Sequence, residues 1–183
     1  MLMLSTIIRG CGKKKRKYQK MLYEEYYEFA FKIVFRYIRS YSEVADVVNT
    51  AFVKMLRTIH EFKFNVENGL EGSLKEWVVT IVVSTAIEWS RWHDTELNTD
   101  DVPQENWKPE SSNDLLYKEL ICELRRLPWI HRAVFNMHVI DGYAHDAIAE
   151  LLSISENESK SKLCEARAFL QNAVKKEFVH ACG

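Results

Sequence analysis

Proline and glycine are scarce in this sequence, with three and six residues in 183. Strand-rich sandwiches need frequent turn residues, so the scarcity excludes a turn-dense β architecture and makes helices the expectation. No apolar run reaches the ~18–20 residues that a membrane-spanning helix requires. Met1–Ile8 is apolar, but its positive charges follow it, the reverse of an export signal. The cysteines, Cys11, Cys122, Cys164 and Cys182, form no close-spaced pair, which excludes the common zinc and dithiol patterns. Reduced thiols in a cytoplasmic protein are therefore expected. Catalytic signatures are missing as well: no Gly-rich phosphate loop, nucleophile elbow or H-E-x-x-H is present. His131, His138 and His145 recur every seven residues, but Gly142 interrupts the helix between them. With no carboxylate or thiol at metal spacing, they read as surface or capping histidines. Neither an enzyme, a cofactor nor a metal site is expected.

Net charge is nearly absent too, at −1. That value is a cancellation between tracts. Residues 1–20 carry seven basic and no acidic side chains, and residues 94–113 carry six acidic and one basic. The stretches between and after them are close to neutral. Residues 1–20 read as a basic N-terminal arm without regular structure.

What is present is helical periodicity. Leu22, Tyr26, Phe29, Ile33 and Tyr37 define a first stripe. A second helix begins near Ser42 as N-cap and carries Val44, Val47, Val48, Ala51, Phe52, Met55 and Ile59 inward. Asn65, Asn68, Gly69 and Gly72 mark a loop, and Ser73-Leu74-Lys75-Glu76 reads as a capping box opening a third helix to about Trp92. Residues 94–113 contain Pro103 and Pro109 and no apolar period, so they read as an acidic linker. Beyond it, Leu115, Leu116, Leu120 and Leu124 suggest a helix, and Pro128 opens the next, with Ile130, Ala133, Val134 and Met137 inward. Gly142 stops that helix. Residues 144–152 form a short helix, Ser153-Ile154 a turn, and Ser155 with Glu158 a capping box for the last. The expectation is an all-α chain of two modules, 21–93 and 114–178.

A short helix, a tight turn and a capped second helix make a helix-turn-helix, whose second helix can enter a DNA major groove. With the apolar stripe inward, Asn157, Lys160, Ser161, Lys162 and Arg167 face outward. Lys and Arg neutralise phosphates or donate to guanine edges, and Asn and Ser bond bases or backbone. Spacing alone does not separate a DNA reader from an ordinary amphipathic helix pair.

Several stretches carry a resemblance. Leu127-Pro128, Val134-Phe135, the run His138–Ser155, Lys160-Ser161-Lys162-Leu163 and Ala166-Arg167 resemble region 4 of the extracytoplasmic-function sigma factors of bacterial RNA polymerase. Leu22-Tyr23, Asp46-Val47-Val48-Asn49-Thr50-Ala51-Phe52 and Leu74-Lys75-Glu76-Trp77-Val78-Val79-Thr80-Ile81 resemble region 2 of the same family. The resemblance implies a non-catalytic initiation subunit that binds core RNA polymerase and promoter DNA. It implies polymerase docking through Asp46, Val47, Asn49 and Phe52. It further implies contact with the opened −10 element through Asn65, Asn68, Ser84 and Arg91, with Trp77 as a further wall, and reading of the −35 element through the last helix. An anti-sigma protein is a partner the family suggests. The linker is either a solvated spacer or, as the family implies, a strand of carboxylates threading the polymerase interior.

The departures from the family pattern are specific. Val83-Ser84 and Glu88 replace a common Arg-Asn and a later Asp, Ser153 stands for the turn glycine, and Asn157-Glu158-Ser159 for Gly-Thr-Val. The last change loses an apolar anchor, and Glu158 and Glu165 add repulsion toward phosphate. Two alternatives stay open on the residues: a helix-turn-helix regulator acting without polymerase, and a diverged sigma-like interaction protein with little DNA binding.

Overall fold

The structure, a computed structural model, describes residues 2–93 and 120–181. Among these residues all regular structure is helical. The acidic linker, Leu115 and Leu116, and Cys182 lie outside them. The helices are α1 (Leu2–Gly12), α2 (Arg16–Tyr37), α3 (Tyr41–Thr58), α4 (Gly69–His93), α5 (120–126), α6 (Trp129–Phe135), α7 (His145–Leu152) and α8 (Glu156–Ala181). A 3₁₀ turn, Ile59–Glu61, follows α3, and a π turn, Asn136–Ile140, extends α6. The chain divides into two compact units, Met1–Phe35 with Ser42–Trp89, and Arg36–Tyr41 with Ser90–Gly183.

In the first unit the expected stripes of α2, α3 and α4 converge. Leu22, Ile33, Val34, Val44, Val48, Met55, Leu74, Val78 and Val82 are all buried. Each such side chain contributes roughly 1.5–3 kcal/mol of burial. Trp89 donates its indole N–H to Glu43 at 3.1 Å, tying the end of α4 to the start of α3.

Two sequence expectations fail here for physical reasons. Residues 1–20 are not an unstructured arm. Leu2–Gly12 form α1, which buries Ile7 and Cys11, while the basic run Lys13–Lys17 stays exposed on the turn into α2. Gly10 makes that turn possible: a Cβ there would lie 2.1 Å from the Tyr18 ring. Ser73 is not a helix cap either, because α4 starts a turn earlier, at Gly69 with φ +66°. The Ser73 hydroxyl instead accepts the Asn65 N–H at 3.0 Å and reaches the Gly69 carbonyl at 2.7 Å, pinning the preceding loop.

The second unit is built around buried arginine. Arg132 has no exposed surface. Its Nε donates to the Tyr37 carbonyl at 2.7 Å, and its Nη1 to the carbonyls of Arg125 and Leu127 at 3.0 and 2.9 Å. Asn136 donates to the Arg36 carbonyl at 2.9 Å, and Arg125 to that of Arg39 at 2.6 Å. These side chains satisfy backbone acceptors that a helix C-terminus and its following corner leave open. Asp141 closes the cluster, accepting from Arg36 at 2.6 Å and from the Tyr37 hydroxyl at 2.7 Å. Burial, then the Asp141 charge, pushes the Tyr37 phenol well above its ordinary range. Around this cluster Ile121, Leu124, Val134, Met137, Ile148, Leu152, Leu163 and Leu170 form the apolar core.

Candidate functional site

The helix-turn-helix is formed by α7 and α8. Ser153 between them adopts the left-handed conformation, φ 57° and ψ 46°, and the Ile154 N–H returns to the Ala149 carbonyl at 3.0 Å. This is the closing turn that normally takes glycine. Ser155 caps α8, its hydroxyl accepting the Glu158 N–H at 3.1 Å, as the sequence pattern indicates.

With Leu163, Ala166 and Leu170 inward, Asn157, Lys160, Ser161, Cys164 and Arg167 form one exposed stripe. Lys162 lies at its flank, half-buried. Carboxylates already engage part of this face. Lys160 pairs with Glu156 at 2.6 Å, and Glu165 accepts from Ser161 at 3.0 Å and Lys162 at 3.4 Å. His131 Nε2 lies 2.7 Å from the same Glu165. The His131 and Ser161 hydrogen bonds, with Lys162, hold the Glu165 carboxyl down to about 2. Solvent-exposed pairs of this kind contribute little, so a phosphate can displace them.

Ser159, at the position of the missing apolar anchor, is fully buried and its hydroxyl lies 2.9 Å from His145 Nδ1. A polar bond inside the unit thus replaces the apolar contact. The His145 ring stacks on His138, with centroids 4.3 Å apart and planes at 20°. The seven-residue spacing therefore brings two of the three histidines together, since the turn around Gly142, at φ +78°, folds the chain back. No group of three or more His, Cys, Asp or Glu side chains gathers among the described residues.

On α3, Val47 and Phe52 lie in the core, whereas Asp46 and Asn49 are exposed. The outward stripe continues through Thr50 and Val53, which is 48% exposed. The Tyr23 hydroxyl donates to Asn49 Oδ1 at 3.0 Å, and its ring packs on Phe52 at 4.7 Å. Phe52 thus supports the surface from beneath. Val53 falls four residues after Asn49, so its place on this face was readable from helical spacing.

The residues assigned to an opened strand fall on different elements. Asn65 and Asn68 are exposed on the loop before α4, where Asn65 Oδ1 accepts the Glu67 N–H at 3.0 Å and Asn68 donates to Glu76 at 2.7 Å. Ser84 lies fifteen residues into α4 from Gly69, about 22 Å along the axis. Its hydroxyl reaches the Ile81 carbonyl at 3.1 Å. Arg91 belongs to the second unit, where it donates to the Leu152 carbonyl at 3.3 Å and lies 5.9 Å over the Trp129 ring. Trp77 packs edge-on against Phe62 at 5.6 Å. Phe64 and Val66, 51% and 81% exposed on the Asn65 loop, set apolar surface beside the two asparagines. An aromatic residue inside an otherwise polar loop is the signal that marks Phe64.

Two family descriptions match the chain: Sigma-70 region 2 over residues 22–95 and Sigma-70 region 4 over residues 117–170. The chain is similar to RNA polymerase sigma factor YlaC of Bacillus subtilis (strain 168), 25% identical over 167 residues that make up 85% of this chain and 91% of that relative. A solved structure of CnrH in complex with the cytosolic domain of CnrY has the same fold, with a TM-score of 0.51 and 14% identity over 93% of this chain and 96% of that one. The two regions stand in family order, each on the helices described above, and the chain belongs to the sigma-70 family as an RNA polymerase sigma factor of the extracytoplasmic-function type.

Proposed function

We propose that this sigma factor docks on core RNA polymerase through the Asp46–Asn49–Thr50–Val53 face of α3 and reads promoter DNA with two separate surfaces. A carboxylate and an amide beside an exposed valine offer a partner helix both an apolar seat and directional bonds. The loop carrying Asn65 and Asn68, with Phe64 and Val66, receives unstacked bases of the −10 element, for which flat walls and amide donors are the needed chemistry. Ser84 and Arg91 contact the opened strand farther along. Helix α8 reads the −35 element through Asn157, Lys160, Ser161, Lys162 and Arg167.

The single observation carrying this reading is the exposed stripe of Asn157, Lys160, Ser161 and Arg167 on α8, the second helix of the helix-turn-helix. The factor acts in the cytoplasm without catalysis of its own, lending specificity to the polymerase that performs the chemistry. A protein partner that holds it in reserve, an anti-sigma factor, belongs to the same reading. The fold it shares with CnrH, which is bound to the cytosolic domain of another protein, supports that partner.

The test is capture of core polymerase by the purified chain, followed by run-off transcription from the promoter upstream of its own gene. A discrete run-off product dependent on the chain is expected. Failure to associate with core polymerase overturns the proposal.

A further inference from the structure

The stacked histidines of the second unit are absorbed neither by the core nor by the −35 stripe. His138 sits on the π turn, His145 begins α7, and both are half-buried. Each ring is oriented by a bond through Nδ1. His138 Nδ1 lies 2.9 Å from the Tyr143 carbonyl, which can only accept, so that nitrogen carries the proton. His145 Nδ1 lies 2.9 Å from the buried Ser159 hydroxyl. Neither Nε2 has a partner among the described residues. Orientation of a histidine by its second nitrogen is the arrangement found where the first is reserved for a ligand.

The charges around the pair favour an anion. From α8, Lys160 and Arg167 act on His145, and only Glu156 opposes them. Glu156 is itself bound by Lys160 at 2.6 Å. From the π turn His138 adds a second ionisable ring, and on α7 the Asp146 carboxylate accepts the Ala147 N–H beside it at 2.7 Å. Desolvation, then His138, Lys160 and Arg167, holds the His145 imidazole below its ordinary range, which favours its neutral form. A phosphodiester seated there would supply the missing negative charge and reverse that balance.

We propose that His138 and His145, with Lys160 and Arg167, form a proton-accepting seat for one phosphate of promoter DNA beside the −35 contact. The phosphate binds as its imidazole partner takes up a proton, so the protonated Nε2–H donates to a phosphate oxygen. The buried Ser159, out of place as an apolar anchor, holds His145 in register for this contact. The inference rests on α8 facing the −35 element, and it adds a titratable phosphate contact to that face.

A ligand that raises a histidine pKa is bound more tightly at low pH, and the advantage disappears as pH rises through the pKa of the complex. One proton taken up gives a fall in affinity of up to about tenfold per pH unit. Holoenzyme assembled with the full-length chain would be titrated with its promoter duplex at constant salt between about pH 5.5 and 8. The native chain, His145→Gln and His138→Gln are compared, so that titrations of the polymerase itself cancel. His138→Gln leaves the His145–Ser159 bond in place and serves if His145→Gln misfolds. The seat predicts that the variants match the native chain at the alkaline end and lose its extra affinity at the acid end. Parallel pH profiles for native and variant holoenzymes overturn it while leaving the −35 reading intact. Absence of a promoter complex at every pH overturns both.

Discussion

Replacing Arg132 by Met tests whether the buried guanidinium organises the second unit. Methionine fills a similar volume, so no large cavity is introduced. What is lost is a donor set. The carbonyls of Tyr37, Arg125 and Leu127, at 2.7, 3.0 and 2.9 Å, keep their places but lose their partner. Hydrogen bonds from a charged donor contribute ~1.5–3 kcal/mol each, and a buried acceptor left unpaired costs ~1–3 kcal/mol. Tyr37 O retains the Ser90 hydroxyl at 3.3 Å, which offsets part of its loss. Removal of the buried charge's own desolvation cost offsets a further part. The net expectation is a destabilisation of about 3–5 kcal/mol. Urea unfolding followed by far-ultraviolet circular dichroism measures it as a lower midpoint. Arg132→Lys is expected to recover less than half, because an ammonium cannot reproduce the fork that reaches three carbonyls. An Arg132→Met chain within about 1 kcal/mol of the native one would refute the claim that these carbonyls depend on the guanidinium.

Other outcomes follow from single contacts. Ser153→Gly relieves the left-handed residue of the turn and is expected to stabilise the chain by about 1 kcal/mol, read as a higher urea midpoint. Tyr37 is held protonated by burial, so its contribution is complete below pH 10 and is lost as pH rises beyond that toward its raised folded value. Tyr37→Phe removes the 2.7 Å bond to Asp141 and should flatten that alkaline loss in a pH series of unfolding midpoints. Glu165→Gln frees Ser161 and Lys162 from a competing carboxylate, so promoter affinity of the holoenzyme should rise severalfold, with a steeper dependence on salt. Val53→Asp is expected to weaken core-polymerase capture at least tenfold with unchanged helicity, because it charges the apolar seat on α3 without touching the core.

The helical architecture was legible because the apolar stripes have a clean period, as on α3, where six predicted side chains from Val44 to Met55 are buried. The helix-turn-helix was legible for the same reason, together with the Ser155 cap and Gly142. Arg132 was not, since a charged residue flanked by the apolar Ile130, Ala133 and Val134 gives no local sign that it will be buried against distant carbonyls. The role of α1 was hidden by its neighbours: seven cations in twenty residues read as a solvated arm, whereas Ile7 and Cys11 supply enough apolar surface to dock a helix. On α3 the apolar stripe made orientation readable, but the family resemblance drew buried residues into the docking set. Val47 and Phe52 carry the family resemblance and face inward, whereas Asp46, Asn49 and Val53 face the solvent. Ser159 read as a defect because its partner, His145, lies fourteen residues away across the turn.

The near-zero net charge bears on how the factor reaches its promoter. Both helical stretches are almost neutral, which fits a factor whose promoter affinity depends on the polymerase it joins. The most direct measurement is therefore paired: core-polymerase capture and promoter-specific run-off transcription for the native chain and for Lys160→Ala, Lys162→Ala, Arg167→Ala combined. Equal capture and a loss of promoter-specific transcript are expected for the triple variant. Undiminished transcript from that variant, or a native chain that fails to capture polymerase, would contradict the proposed function.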